Sequence, residues 1–196
     1  MKLAVIKYNA GNVQSVLFAL QRLGVQAEVT DEVEKIRGAD KVIFPGVGNA
    51  GAAMQSLRDK GLDEVIRSLT QPLLGICVGM QLLCNHSEES DTACLGIIPL
   101  QVKKFRPQPG EGKVPQMGWN TISGLSSAIF SGVDEGSFVY YVHSYYVTKG
   151  ENTIATSHYL DDYSAAIKKD NFYGVQFHTE KSATVGDHIL NNFLKL

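Results

Sequence analysis

The sequence predicts an α/β fold: a doubly wound, mostly parallel sheet in the first half of the chain, extended by antiparallel strands from the second. Three observations predict it. Up to about residue 85, short apolar runs alternate with stretches of helical period. Glycine or proline punctuates those runs. Beyond Gly96, strand-like runs follow one another through turns until a final helical stretch. Repeated strand-helix units imply parallel strands joined by right-handed crossovers.

Lys2 to Tyr8 reads as a buried first strand. From Asn12 to Leu23, the residues Val13, Val16, Leu17, Leu20 and Leu23 fall at helical spacing, and Gly24 caps that helix. Gln26–Thr30 and Lys41–Phe44 are the second and third strands, the latter closed by Pro45-Gly46. A helix with Met54 and Leu57 on one face breaks at Gly61, and a shorter one runs from Leu62 to Leu69. Leu73–Ile76 is the fourth strand, followed by a helix from Cys77 to about Asn85. Gly96–Phe105, Trp119–Ile122, Phe138–Thr148, Thr153–Leu160, Ala165–Lys168 and Tyr173–Phe177 read as strands. Arg106–Gly112 is a surface loop, and Thr184–Leu196 a last amphipathic helix. The order is that of a flavodoxin-like sheet, where ligands sit at the carboxyl ends of the strands. The Tyr8–Gly11 turn, the Pro45–Gly48 loop and Cys77 all fall at that edge.

A length of 196 residues fits one domain, 1–196. The net charge of −2 argues against a broad nucleic-acid surface. No apolar run approaches a membrane span, and Lys7 ends the N-terminal run too early for a signal peptide. Three cysteines without a CxxC pair suit a reducing cytoplasm rather than a disulfide framework. Cys84 reads as a small core residue on the same helix as Cys77. Five histidines show no zinc spacing, so neither a metal nor a cofactor is expected.

Gly75-Ile76-Cys77-Val78-Gly79 carries the chemistry. One cysteine between two glycines, directly after an apolar strand, reads as a sharp strand-to-helix turn that exposes a nucleophile. A helix N-terminus there favours thiolate over thiol. Far downstream, His178-Thr179-Glu180 follows the strand-like run ending at Phe177. Cysteine nucleophile, histidine base and orienting carboxylate make a set for acyl transfer. Pro45-Gly46-Val47-Gly48 ends the neighbouring strand. Amides at Val47 and Gly48, with that of Val78, are candidate oxyanion donors. Glycines flanking Val47 would let that peptide flip; an ordinary turn is the other reading.

These residues resemble the class I glutamine amidotransferases. Gly75-Ile76-Cys77-Val78-Gly79-Met80-Gln81 is similar to that class's nucleophile motif, and Gln176-Phe177-His178-Thr179-Glu180 to its His-Pro-Glu motif, with threonine in place of proline. Within the class, Pro45–Gly48, Met117-Gly118-Trp119-Asn120, Tyr140–Tyr145 and Glu180-Lys181-Ser182 are similar to the glutaminase subunits of imidazole glycerol phosphate synthase, which acts in histidine biosynthesis. Lys7 and Asn9 depart from that pattern, while Tyr8, Gly11, Asn12 and Ser15 keep it.

The resemblance implies hydrolysis of glutamine to glutamate and ammonia through a thioester on Cys77. It implies that Gln81, Glu89 and the backbone at Ser144 and Tyr145 hold the amino-acid end of the substrate. By its residues alone, Glu89 would read as a solvated loop charge. The resemblance further implies a heterodimer with a (β/α)₈ cyclase subunit that consumes the ammonia, with Asn12, Met117, Trp119, Tyr140 and Lys181 at the interface. A core tryptophan is the other reading of Trp119. Two competing functions are another class I glutaminase, for anthranilate or pyridoxal phosphate synthesis, and a non-catalytic module on the same fold. The Val47 tetrad and the Met117–Asn120 run argue against the first, and intact Cys77, His178 and Glu180 against the second.

Overall fold

The computed structural model describes residues 1–9 and 13–196. Asn12 and Gly11, expected near a functional edge, lie outside the described residues. The elements run in order β1 (Leu3–Ile6), α1 (Val13–Arg22), β2 (Glu28–Thr30), α2 (Val33–Arg37), β3 (Lys41–Gly46), α3 (Ala50–Asp59), α4 (Leu62–Arg67), β4 (Leu73–Cys77), α5 (Val78–Leu82), β5 (His86–Ser87), β6 (Thr92–Ala93) and β7 (Gln101–Lys104). They continue with β8 (Gln116–Thr121), β9 (Phe138–His143), β10 (Tyr145–Val147), β11 (Thr153–His158), β12 (Asp162–Lys169), β13 (Phe172–Val175) and α6 (Ala183–Leu194).

The main sheet has seven strands in the order β11-β12-β13-β4-β3-β1-β2. β2, β1, β3, β4 and β13 run parallel. β12 and β11 add the expected antiparallel extension. β3 and β4 are buried along their whole length, so both read as continuous apolar runs. Insertion of β13 beside β4 joins the two halves of the chain and carries the His178 segment to the strand bearing Cys77.

Three expectations need correction. First, the strands from the middle of the chain do not all extend the main sheet. β7 and β10 pair with β5 and β6 in a four-stranded sheet, and β8 and β9 form a separate ribbon. The run Phe138–Thr148 is broken at Ser144, because in-out alternation slips there and Ser144 O turns to accept the Phe105 amide at 3.0 Å. Second, Gly96–Leu100 is not a strand. Gly96 sits at φ +68°, and the amides of Ile97 and Ile98 both close on Leu83 O. Third, the helix after Cys77 ends at Leu82, since the Asn85 amide is drawn to Leu100 O at 3.0 Å. Cys84 therefore lies beyond that helix, though fully buried as expected. The five-residue α2, which buries only Ile36, was not anticipated.

Among the described glycines, the tightest backbone contact sits at α5. A Cβ on Gly79 would lie 1.9 Å from Phe44 O, and one on Gly75 2.8 Å from the Gly79 backbone. Only glycine lets α5 lie this close to β3 and β4. In an open helix, Gly→Ala gains about 1 kcal/mol. Here Gly79→Ala is expected to destabilise by about 3 kcal/mol or more through overpacking against backbone, read as a lowered urea midpoint.

Candidate active site

Cys77 ends β4 and stands at the N-cap of α5, with φ 55° and ψ −111°. A non-glycine residue in that region holds about 1–3 kcal/mol of strain, sustained by the surrounding packing. His178 follows β13 on a short turn. Its amide donates to Tyr140 O at 2.9 Å, and Ser182 Oγ donates to His178 O at 2.6 Å while accepting the Tyr140 amide at 2.9 Å. The turn thus latches to β9. Thr179, standing where proline is usual, is buried and leaves the turn intact, with Lys181 N donating to His178 O at 3.0 Å.

The imidazole of His178 bridges two partners. Its Nδ1 lies 2.7 Å from Glu180 Oε1, and the ring shares the cavity with the Cys77 side chain, which interacts with it electrostatically. A carboxylate oxygen facing Nδ1 accepts, so Nδ1 carries a proton and Nε2 is the nitrogen left for proton transfer. Burial disfavours the imidazolium, but hydrogen bonds and charge from Cys77 and Glu180 outweigh it and push the His178 pKa up to about 10.

Every catalytic, oxyanion and substrate residue expected from the sequence lines one cavity of about 340 Å³: Cys77, His178 and Glu180; Val47, Gly48 and Val78; Gln81, Glu89, Ser144 and Tyr145. Lys181 lines it as well. The Val47–Gly48 segment is anchored on both sides. Tyr8 Oη donates to Pro45 O at 2.8 Å, and Asn49 caps α3 by accepting the Ala52 amide at 3.1 Å. Val47 itself is partly exposed and Gly48 has φ +92°. Glu89 is no solvated loop charge: its Oε2 accepts the Ala50 amide at 2.7 Å. Half-burial raises its pKa, and that hydrogen bond opposes the rise. Gln81 Nε2 donates to Tyr145 O and Gln176 Oε1, each at 2.9 Å, which commits both amide hydrogens and leaves Oε1 as an acceptor.

Met117, Trp119 and Tyr140 lie outside this cavity. Trp119 pairs with Tyr140 across β8 and β9, their rings 5.8 Å apart and edge to face. Met117, Trp119 and Phe138 share that face of the ribbon and are 66%, 54% and 59% exposed. Trp119 is thus a surface residue. Val142, on the same ribbon face, lines the cavity, so that face reaches the cavity wall.

Two residues escaped sequence reasoning. Gln176, fully buried, donates from Nε2 to Cys77 Sγ at 3.7 Å. His143 lines the cavity, with Nδ1 2.8 Å from Tyr145 O. That carbonyl fixes the proton on Nδ1, and Nε2 has no partner among the described residues. Burial first, then the nearby His178, lower the His143 pKa to about 4 against the hydrogen bond to Tyr145 O. Both lie inside the quoted motifs, but only their place beside the sulfur and cavity marks them.

The two histidines make opposite contributions to pH dependence. Between pH 6.5 and about 4, an unfolded His143 takes up a proton that the folded one refuses, so its contribution is complete above 6.5 and lost as pH falls. The His178 contribution is complete below pH 6.5 and lost as pH rises toward about 10. His143→Gln is therefore expected to flatten the acid limb of stability, by roughly 3 kcal/mol across that window, in urea unfolding at a series of pH values.

Residues 4–196 match the family described as glutamine amidotransferase class-I. The imidazole glycerol phosphate synthase subunit HisH of Bacteroides thetaiotaomicron is 55% identical over 196 residues, covering all of both chains. The protein of the same name from Shewanella oneidensis is 48% identical, over 98% of this chain and 95% of that one. Among solved structures, a glutamine amidotransferase superimposes with a TM-score of 0.76 at 18% identity, covering all of this chain and 98% of that one. A glutamine amidotransferase from Thermotoga maritima gives a TM-score of 0.65 at 16% identity, over all of this chain and 83% of that one. These two speak for the fold alone. The whole-length match, with cysteine, histidine and glutamate gathered at one cavity, leads to one conclusion: the chain belongs to the class I glutamine amidotransferase family.

Proposed function

We propose that this chain is the glutaminase subunit of an imidazole glycerol phosphate synthase, releasing ammonia from glutamine for histidine biosynthesis. The observation that carries the reading is the convergence of Cys77, His178 and Glu180 on the cavity that also holds Glu89 and Gln81. The full-length likeness to relatives named as HisH subunits supports the choice among class I glutaminases.

The geometry supports the following course. The substrate ammonium pairs with the free carboxylate oxygen of Glu89 and the Gln81 Oε1 acceptor, and the substrate carboxylate lies along the Ser144–Tyr145 backbone. The Cys77 thiolate attacks the side-chain amide carbon. Negative charge on the former carbonyl oxygen is met by the Val78 amide and by an amide of the Val47–Gly48 segment. His178 gives its Nε2 proton to the departing nitrogen, the C–N bond breaks, and ammonia leaves a γ-glutamyl thioester. Water then attacks the thioester, His178 takes its proton, and glutamate departs with the thiolate restored. Glu180 holds the imidazole by Nδ1 throughout.

Ammonia freed into water would be protonated and lose its nucleophilicity. The partner we assign is a (β/α)₈ cyclase subunit acting as the lyase half of a heterodimer. It makes imidazole glycerol phosphate and the purine-precursor carboxamide ribotide from the channelled ammonia. It docks on Met117, Trp119 and Tyr140, with Lys181 at the cavity. Asn12 belongs to the same proposed interface. A cytoplasmic setting suits the three free cysteines.

Cys77→Ala is expected to lower glutamine-dependent synthesis by the reconstituted pair at least about 10³-fold, while synthesis from added ammonium salt stays at the wild-type rate. Steady-state assays with each nitrogen source check this. Persistent glutamine turnover would remove Cys77 from the role of nucleophile.

A further inference from the structure

Gln176 is buried completely, yet it is polar and lies two residues before His178. A buried amide needs partners, and the partners here form a directed chain. Tyr145 O can only accept, so the Gln81 atom facing it at 2.9 Å is the amide nitrogen. That nitrogen places its second hydrogen on Gln176, 2.9 Å away, so the Gln176 atom there is the carbonyl oxygen. The remaining end of the Gln176 amide is then its NH₂ group, which faces Cys77 Sγ at 3.7 Å. A flip at Gln81 would set its oxygen against two acceptors, and a flip at Gln176 would set two NH₂ donors against each other. The donor aimed at the sulfur is therefore fixed by Tyr145 O, two links away.

The sulfur stands between opposed groups. Val142 O lies 3.9 Å away and, as an acceptor, suits the neutral S–H. Gln176 Nε2 is a donor and suits the thiolate, because a charged sulfur accepts far better than a neutral one. The titratable groups that share the cavity with the sulfur are His178, Glu180, His143, Glu89, Tyr145 and Lys181. His178 interacts with the sulfur electrostatically, with Glu180 bonded behind the ring at 2.7 Å. The Tyr8 hydroxyl is committed to Pro45 O, and burial together with the charge of Cys77 holds it neutral. His143 is neutral at physiological pH. Gln176 is the uncharged donor that His178 leaves room for.

We propose that Gln176 is a catalytic residue, an amide donor that stabilises the charged sulfur of Cys77 and is held in aim by Gln81 and Tyr145. This rests on Cys77 being the nucleophile. Tyr145 belongs to the strand assigned to the substrate, so the same chain of hydrogen bonds ties that strand to the attacking atom.

The test is the alkylation of Cys77 by iodoacetamide in the full-length chain, followed on the Cys77 peptide by mass spectrometry across pH. Gln176→Met, close in volume and without a donor, is expected to slow alkylation about tenfold near neutral pH and to match wild type at alkaline pH, where the sulfur is ionised in both. Gln81→Leu, which frees the Gln176 amide to rotate, is expected to show the same pH-selective loss, smaller in size. In the reconstituted pair, Gln176→Met should lower kcat for glutamine with KM unchanged. An equal slowing at every pH, or none in either variant, overturns the role of Gln176. Glutamine turnover surviving in Cys77→Ala would instead overturn the parent reading, whatever the Gln176 variants do.

Discussion

The contact on which the rest depends is the one between α5 and the paired strands β3 and β4. With no Cβ at Gly79, the first turn of α5 rests directly on the Phe44 carbonyl. That contact leaves the chain one way to leave β4, through the left-handed turn at Cys77. The thiol is thereby presented to the cavity at the carboxyl edge of the sheet, although Cys77 itself stays buried rather than exposed. Every other part of the site is arranged relative to it: the Val47 loop on β3, the His178 turn after β13, and the Ser144 break between β9 and β10.

Around the sulfur, charge is distributed by burial and pairing rather than by the net charge of the chain. Glu180 and Cys77 together hold His178 in its charged form. His143, equally buried but bonded only to a carbonyl, stays neutral. Neighbouring histidines with opposed preferences separate a proton-carrying group from a wall of the cavity. Glu89 gains its place in the same way. Its carboxylate sits on the first amide of α3, where the helix N-terminus favours negative charge.

Much of this was legible in the sequence, for identifiable reasons. Apolar runs at β3 and β4 are long and uninterrupted because both faces of each strand are covered. The glycines around Cys77 mark a close approach that no other residue permits. What escaped depended on spatial neighbours. The Phe138–Thr148 run keeps its β-branched and aromatic character through Ser144, so nothing local announces that it splits between two sheets. α5 stops early because Leu100, far along the chain, claims the Asn85 amide. α2 is too short to show a period. Gln176 and His143 sit inside recognised motifs, but their roles follow from hydrogen-bond partners contributed by other strands. Trp119 could be placed on the surface only once its register with Tyr140 was known.

The central claim is that glutamine is opened by the Cys77 sulfur in this cavity. The most direct measurement is acid quenching of the chain during glutamine turnover with its synthase partner, followed by mass spectrometry of the Cys77 peptide. The account predicts a γ-glutamyl group in thioester linkage on Cys77, absent from Cys84 and Cys94 and removed by hydroxylamine. Full turnover with no adduct on Cys77, or an adduct on another residue, would contradict it.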